Sequence, residues 1–254
     1  MFVACSTLCF GRLPLEEALR KIAELRFSKF DIAIHEHGRH LKPSEVIADV
    51  HAAAARLRYG SGLTPSAFSV ELEAATEADQ HKQFQAICRL ARLVAVPLLT
   101  VRPSRLEVPF EEEKQRLTKL VRLASRDGLI LTVSTLIGTH TQTPELAIAL
   151  CEQVPGLGLT LDPSHYTAGP HQGKNYDVVF PYVQHVHLRD TGRGPNQFQV
   201  RIGQGEIEYG RIISQLARFR YDRTLTVDIR DIPDSPFPME PEVRKLKYLL
   251  ESLV

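Results

Sequence analysis

Residues 143–166 read TPELAIALCEQVPGLGLTLDPSHY. Thr143 is placed to cap a helix, Pro144 suits its first position and Glu145 complements the dipole of its first turn. A helical stretch then gives way at Pro155-Gly156 to the short apolar run Gly158–Asp162, which predicts a buried strand ending on an aspartate. His165 follows three residues later. The next apolar run, Val183–Leu188, continues into Arg189-Asp190 as HVHLRD.

The same alternation extends in both directions. Further strands are expected at Phe2–Cys9, Phe27–Ile34, Ala67–Leu72, Leu98–Arg102, Leu129–Ser134 and Thr224–Ile229. Helices are expected from Pro14, over Pro43–Tyr59, Ala78–Val94 and Glu111–Ser125, shortly after Asn175, and over Glu208–Phe219 and Glu240–Ser252. Leu15, Ala18, Leu19, Ile22 and Leu25 fall on one helical face. Strands alternating with helices imply a parallel sheet. Eight units in 254 residues favour a closed (β/α)8 TIM barrel over an open doubly wound sheet, because closure removes both edges. One domain over residues 1–254 is expected. Residues 231–241, DIPDSPFPMEP, read as the loop after the last strand.

Lys and Arg number 31 against 30 Asp and Glu, a net charge of +1. No bulk field recruits nucleic acid or an anionic membrane. Cys5, Cys9, Cys88 and Cys151 form no CxxC pair and read as reduced core thiols of a cytoplasmic protein. The opening MFVACSTLCFG lacks a basic n-region and reads as a strand rather than a signal peptide. No apolar run approaches the ~20 residues that span a bilayer.

Barrel strands aim their carboxyl-terminal residues into one mouth. Asp162 alone would read as a turn former. With His165 and the seventh strand beside it, it becomes a metal or substrate residue. His185 and His187 share a strand face. His185 is assigned to the core and His187, nearer the tip, to the site. Asp228, Arg230 and Asp231 stand at the tip of the eighth strand, and Ser134 at that of the fifth. The segment 35–41, HEHGRHL, reads first as surface polar residues, with His35 and Glu36 as rim candidates. Arg102 could bind an anion, and the loop Gly203-Gln204-Gly205-Glu206 reads as a turn before it reads as a phosphate cradle.

Four stretches carry a resemblance over nearly the whole chain: CSTLCFGRLPLEEALRKIAEL (5–25), residues 143–166, HVHLRD (185–190) and GQGEIEYGRIISQL (203–216). The sequence resembles the xylose-isomerase-like sugar-phosphate isomerase/epimerase superfamily. That resemblance implies one divalent ion (Mn, Mg, Co or Zn) held by Glu, Asp, His and Glu at the tips of strands five to eight. The two glutamates would exchange a proton beside the substrate carbonyl. By position the Asp is Asp162, the His is His187, and the glutamate places fall on Ser134 and Asp228. His165 and Arg193 match substrate-binding positions, joined here by Arg102 and His35.

Ser134 removes one anionic ligand, and Asp228 reaches about 1.5 Å less than a glutamate. Three outcomes stay open: an ion on Asp162, His187, Asp228 and water with His165 or Glu36 as second acid/base, loss of the ion, or a ligand set shifted toward His35-Glu36-His37. The functions to weigh are an isomerase or epimerase of a small sugar or sugar phosphate, a non-catalytic sugar-binding or regulatory barrel, and an AP-endonuclease-like DNA repair enzyme. The last would need more metal ligands and a basic face. The expected partner is a small molecule, neither nucleic acid nor membrane, and a homo-oligomer is compatible with the chain.

Overall fold

All five residues of Leu157–Leu161 are buried, as a parallel strand covered on both faces requires. The computed structural model describes residues 1–58, 62–194, 197–233 and 235–254. Its elements run β1 (Phe2–Ser6), a 3-10 turn (Thr7–Phe10), α1 (Leu15–Glu24), β2 (Lys29–Ile34), α2 (Pro43–Ala48), α3 (Val50–Arg58), β3 (Thr64–Val70), α4 (Glu77–Leu93), β4 (Leu98–Val101) and α5 (Phe110–Arg126). They continue with β5 (Ile130–Ser134), α6 (Pro144–Gln153), β6 (Leu157–Leu161), the single turn α7 (Ser164–Thr167), a 3-10 turn (Asp177–Tyr182), β7 (Val183–Leu188), α8 (Tyr209–Arg218), β8 (Thr224–Val227) and α9 (Met239–Glu251). The strands pair in parallel and in chain order, and β8 returns to β1 through Phe2–Thr224 and Cys5–Val227. This is the expected closed (β/α)8 barrel.

Local chemistry sets the boundaries. The first strand stops at Ser6, short of the expected Cys9, because the Ser6 hydroxyl accepts the Leu8 N–H and opens a 3-10 turn. The helix expected over Pro43–Tyr59 is two helices. Asp49 takes an extended conformation and its carboxylate accepts the N–H groups of His51 and Ala52, so it caps a new helix. Tyr59 lies outside the described residues. The helix expected after Asn175 is the 3-10 turn Asp177–Tyr182, with Pro181 inside it. As expected, the Thr143 hydroxyl accepts the Leu146 N–H, with Pro144 in the first turn of α6.

Phe30, Phe68, Phe84 and Phe180 are among the largest fully buried side chains. The inside of the barrel is partly polar. Thr100, Thr132 and Thr160, from β4, β5 and β6, form a triangle of hydroxyl contacts of 2.7–3.0 Å. All four cysteines are buried free thiols. Among the described residues no helix is long and apolar enough to cross a membrane.

Candidate functional site

A cavity of about 760 Å³ opens at the carboxyl ends of the strands. Asp162, His165, His187, Arg189 and Arg230 line it, with Ser134, Arg102 and His35. Residues 185, 187 and 189 alternate along β7 and its extension, so all three point the same way. The result is a column of buried polar groups, and each must find partners.

The deepest partner is Asp31, on β2. Its carboxylate accepts from His185 Nε2 at 2.6 Å, Thr226 Oγ1 at 2.6 Å and Ser66 Oγ at 2.7 Å. Burial alone would raise the Asp31 pKa, but His185 and then His187 outweigh it and hold the carboxyl far below the usual range. Sequence reasoning missed Asp31. The available signal was a lone acid inside the apolar run FDIAI, which is costly without a cation or donors.

Above it, His187 lies between two carboxylates. Its Nε2 is 3.5 Å from Asp31 and its Nδ1 is 3.8 Å from Asp228. Burial disfavours the charged ring, yet Asp228 and Asp31 outweigh that and raise the His187 pKa. Asp228 is 1% exposed, and its Oδ2 accepts from Arg230 Nε at 3.0 Å. Asp228 Oδ1 and His187 Nε2 are buried without a hydrogen-bond partner.

On the other side of β7, Asp162 is the centre of a second network. Its Oδ2 is 2.7 Å from Arg189 Nη2, and its Oδ1 accepts the Ser164 N–H and hydroxyl. Burial raises the Asp162 pKa, and the Arg189 guanidinium overrides this to leave it at about 2. His165 Nε2 sits 3.3 Å from Arg189 Nη2 and 3.6 Å from Asp162. Burial lowers the His165 pKa to about 4, so the ring is neutral at pH 7. Its Nδ1 is buried without a partner.

Two expected residues do not join this group. Glu36 accepts from the Ser44 backbone and hydroxyl at the start of α2 and is not among the residues lining the cavity. Arg193 is exposed, pairs with Glu206 at 2.9 Å and also lies off the cavity wall. Arg102 is on the wall, 3.7 Å from Glu71. His35 and His37 both line the cavity, and His37 pairs with Glu73 at 3.5 Å.

The Gly203–Glu206 loop is a turn organised by a carboxylate. Asp190 accepts the N–H groups of Gly203 at 2.7 Å, Gly205 at 3.1 Å and Thr191 at 3.0 Å, so these donors are taken. A Cβ on Gly205 would stand 2.1 Å from Asp190 Oδ1 and 2.6 Å from the Thr191 carbonyl. Gly205→Ala should therefore destabilise the protein by about 1–3 kcal/mol. Gly210, in α8, has open space at its Cβ, and Gly210→Ala should cost nothing. Thermal denaturation of the two variants checks the pair; equal melting temperatures would contradict the clash.

The sequence model of the xylose isomerase-like TIM barrel matches residues 19–250. The chain belongs to that family. Compared with curated proteins, the sequence has no significant match. Solved structures are similar along their whole length. A xylose isomerase domain protein from Alicyclobacillus acidocaldarius is 17% identical, with 100% of this chain and 98% of that one covered and a TM-score of 0.77. A xylose isomerase-like TIM barrel protein from Mycobacterium smegmatis, solved in complex with magnesium, is 17% identical, with the same coverage and a TM-score of 0.75. D-allulose 3-epimerase from Methylomonas sp. is 13% identical, with 100% and 98% covered and a TM-score of 0.74. At these identities the likeness is one of fold.

Within this family a divalent ion would be held at Ser134, Asp162, His187 and Asp228. The residues present do not fit one as they stand. Both oxygens of Asp162 are engaged by Arg189 and Ser164. Arg230 holds Asp228 Oδ2, which leaves only Oδ1 of that carboxylate free, and Ser134 brings no charge. A different trio, Asp31, His185 and His187, gathers three ligand-type atoms within 4.8 Å of one another. Its Asp31–His185 separation of 2.6 Å is a hydrogen bond. Two donors on one zinc at about 2.0–2.1 Å each would stand further apart in a tetrahedral site.

Proposed function

We propose that the protein interconverts isomers of a small sugar or sugar phosphate by moving a proton beside a carbonyl. One observation carries this reading: His165 on the cavity wall, and Asp228 buried directly behind His187 and Arg230 of that wall, each keep a buried polar atom that no protein group satisfies. A cavity of about 760 Å³ is in the range that encloses a small ligand. Asp228 Oδ1 is the base. It takes the proton from the carbon next to the carbonyl, and the electron pair moves to the carbonyl oxygen as an enediolate. His165, neutral because burial holds it near 4, donates a hydrogen bond to that oxygen without giving up its proton, as a neutral imidazole does in other proton-transfer barrels.

A single carboxylate can lift a proton from one carbon and return it to the next on the same face. Epimerisation needs an acid on the opposite face. Ser134 supplies none and Glu36 is held at Ser44, so isomerisation suits the geometry better than epimerisation. The reading takes a small molecule as partner, not nucleic acid, and a cytoplasmic setting in keeping with four free thiols.

A panel of aldoses, ketoses and their phosphates incubated in D2O tests it by NMR. Interconversion with deuterium entering at one carbon is expected. Asp228→Asn should lower the rate by about 10²–10⁴-fold. A second reading, a barrel that binds sugar without converting it, is favoured by the arginines on Asp162 and Asp228. Saturable binding with no exchange across the panel would select that reading and end the first.

A further inference from the structure

Arg189 is 7% exposed, yet it lines the cavity. Its placement is costly unless the charge is used, since an arginine taken from water needs partners. Its Nη2 meets Asp162 Oδ2 at 2.7 Å and Ser164 Oγ at 2.8 Å, and its Nε meets Ser164 Oγ at 3.1 Å. Nη2 is also 3.3 Å from His165. Among the described residues Nη1 has no protein acceptor, although the guanidinium holds two further N–H groups there. The carboxylate oxygen that would bind an ion is thus occupied by a cation of the chain itself. Where the family pattern has a carboxylate on β5, Ser134 is uncharged. Beside Asp228 stands a second guanidinium, that of Arg230, at 3.0 Å.

We propose that the guanidinium of Arg189 takes the place of the divalent ion in this barrel, and that its Nη1 binds the substrate oxygen on which negative charge develops. Two features then have one cause. A fixed cation removes the need for a second anionic ligand at position 134. It leaves Asp228 a charge to neutralise, which Arg230 does. A guanidinium holds an oxyanion by directed N–H bonds with a single charge and has no coordination shell to fill.

The test reads ion affinity without any substrate, so failure of the isomerase reading and failure of this assignment give different results. The wild-type chain, stripped with chelator, is titrated separately with Mn²⁺, Mg²⁺, Co²⁺ and Zn²⁺ by calorimetry, and the Asp162 carboxyl carbon is followed by NMR. No saturable heat and an unmoved Asp162 resonance are expected. One equivalent of tightly held ion, or a resonance that shifts with it, would overturn the proposal. The double variant Ser134→Glu with Arg189→Gln restores the carboxylate and removes the cation. If it folds, it should gain at least about tenfold in ion affinity, a change of about 1.4 kcal/mol. A folded double variant that binds no ion would also overturn the proposal, because Arg189 would not be what excludes it. Should the variant fail to fold, the wild-type calorimetry and resonance decide alone.

Discussion

Asp31→Ala should lower the free energy of unfolding by about 3–5 kcal/mol, because it leaves buried partners without their counterion. For a chain of this size that corresponds to a fall in melting temperature of roughly 6–20 °C. Four strands meet at this carboxylate: β2 supplies it, and Ser66, His185 and Thr226 donate to it from β3, β7 and β8. The loss therefore spreads across half the barrel wall rather than one contact. Asp31→Asn keeps the shape and one acceptor oxygen but not the charge, and should cost about 1–3 kcal/mol. Urea denaturation of both variants is the measurement, with the midpoint expected to order wild type, Asn, Ala. If Asp31→Ala unfolds within about 1 kcal/mol of wild type, the network contributes little beyond filling space. The variant also speaks to function. His187 stands 3.5 Å from Asp31 on one side and 3.8 Å from Asp228 on the other. Removing Asp31 frees that ring, and sugar binding should weaken even where the folded fraction is restored by low temperature.

How far the site can be read from the sequence follows from where each partner lies. The barrel was legible because every strand carries its own apolar run, and burial on both faces is a local demand. Asp162, His165 and His187 were legible because each sits at a strand end with another polar residue within three positions, and the fold class supplies their convergence. Asp31 was not, because its hydrogen-bond partners lie 35, 154 and 195 residues away and nothing in FDIAI announces it except the oddness of a buried acid. Arg189 and Arg230 were visible as charged residues near strand tips. Their pairing with Asp162 and Asp228 was not, since it depends on how one tip leans toward the next. Glu36 and Arg193 went the other way: both were expected at the mouth, and both are held by neighbours in chain, Ser44 for one and Glu206 for the other. The rim is thus decided by short-range hydrogen bonds that residue type alone does not rank.

Stability should fall steeply as pH drops from about 6.5 to 4. Two buried histidines set this window. Burial lowers the pKa of His165 to about 4 and that of His40 likewise to about 4. In the unfolded chain both return to about 6.5. The unfolded state therefore binds more protons throughout the window, and unfolding becomes easier as pH falls. Each histidine should withdraw about 3 kcal/mol by pH 4, so the two together approach the whole stability of a small protein. His187 acts in the opposite sense. Its raised pKa gives stability that is complete below the unfolded value and lost as pH rises, so it leaves the decline below pH 6.5 untouched. Asp162, held at about 2, adds its own loss only between about pH 4 and 2. Urea unfolding at a series of pH values, with the proton uptake read from the slope, should show about two protons bound on unfolding near pH 5. His40→Gln should remove close to half of that slope. A slope near zero between pH 6 and 4.5 would mean that both rings already reach water in the folded protein, and His165 would then lose its standing as a neutral donor to the substrate oxygen.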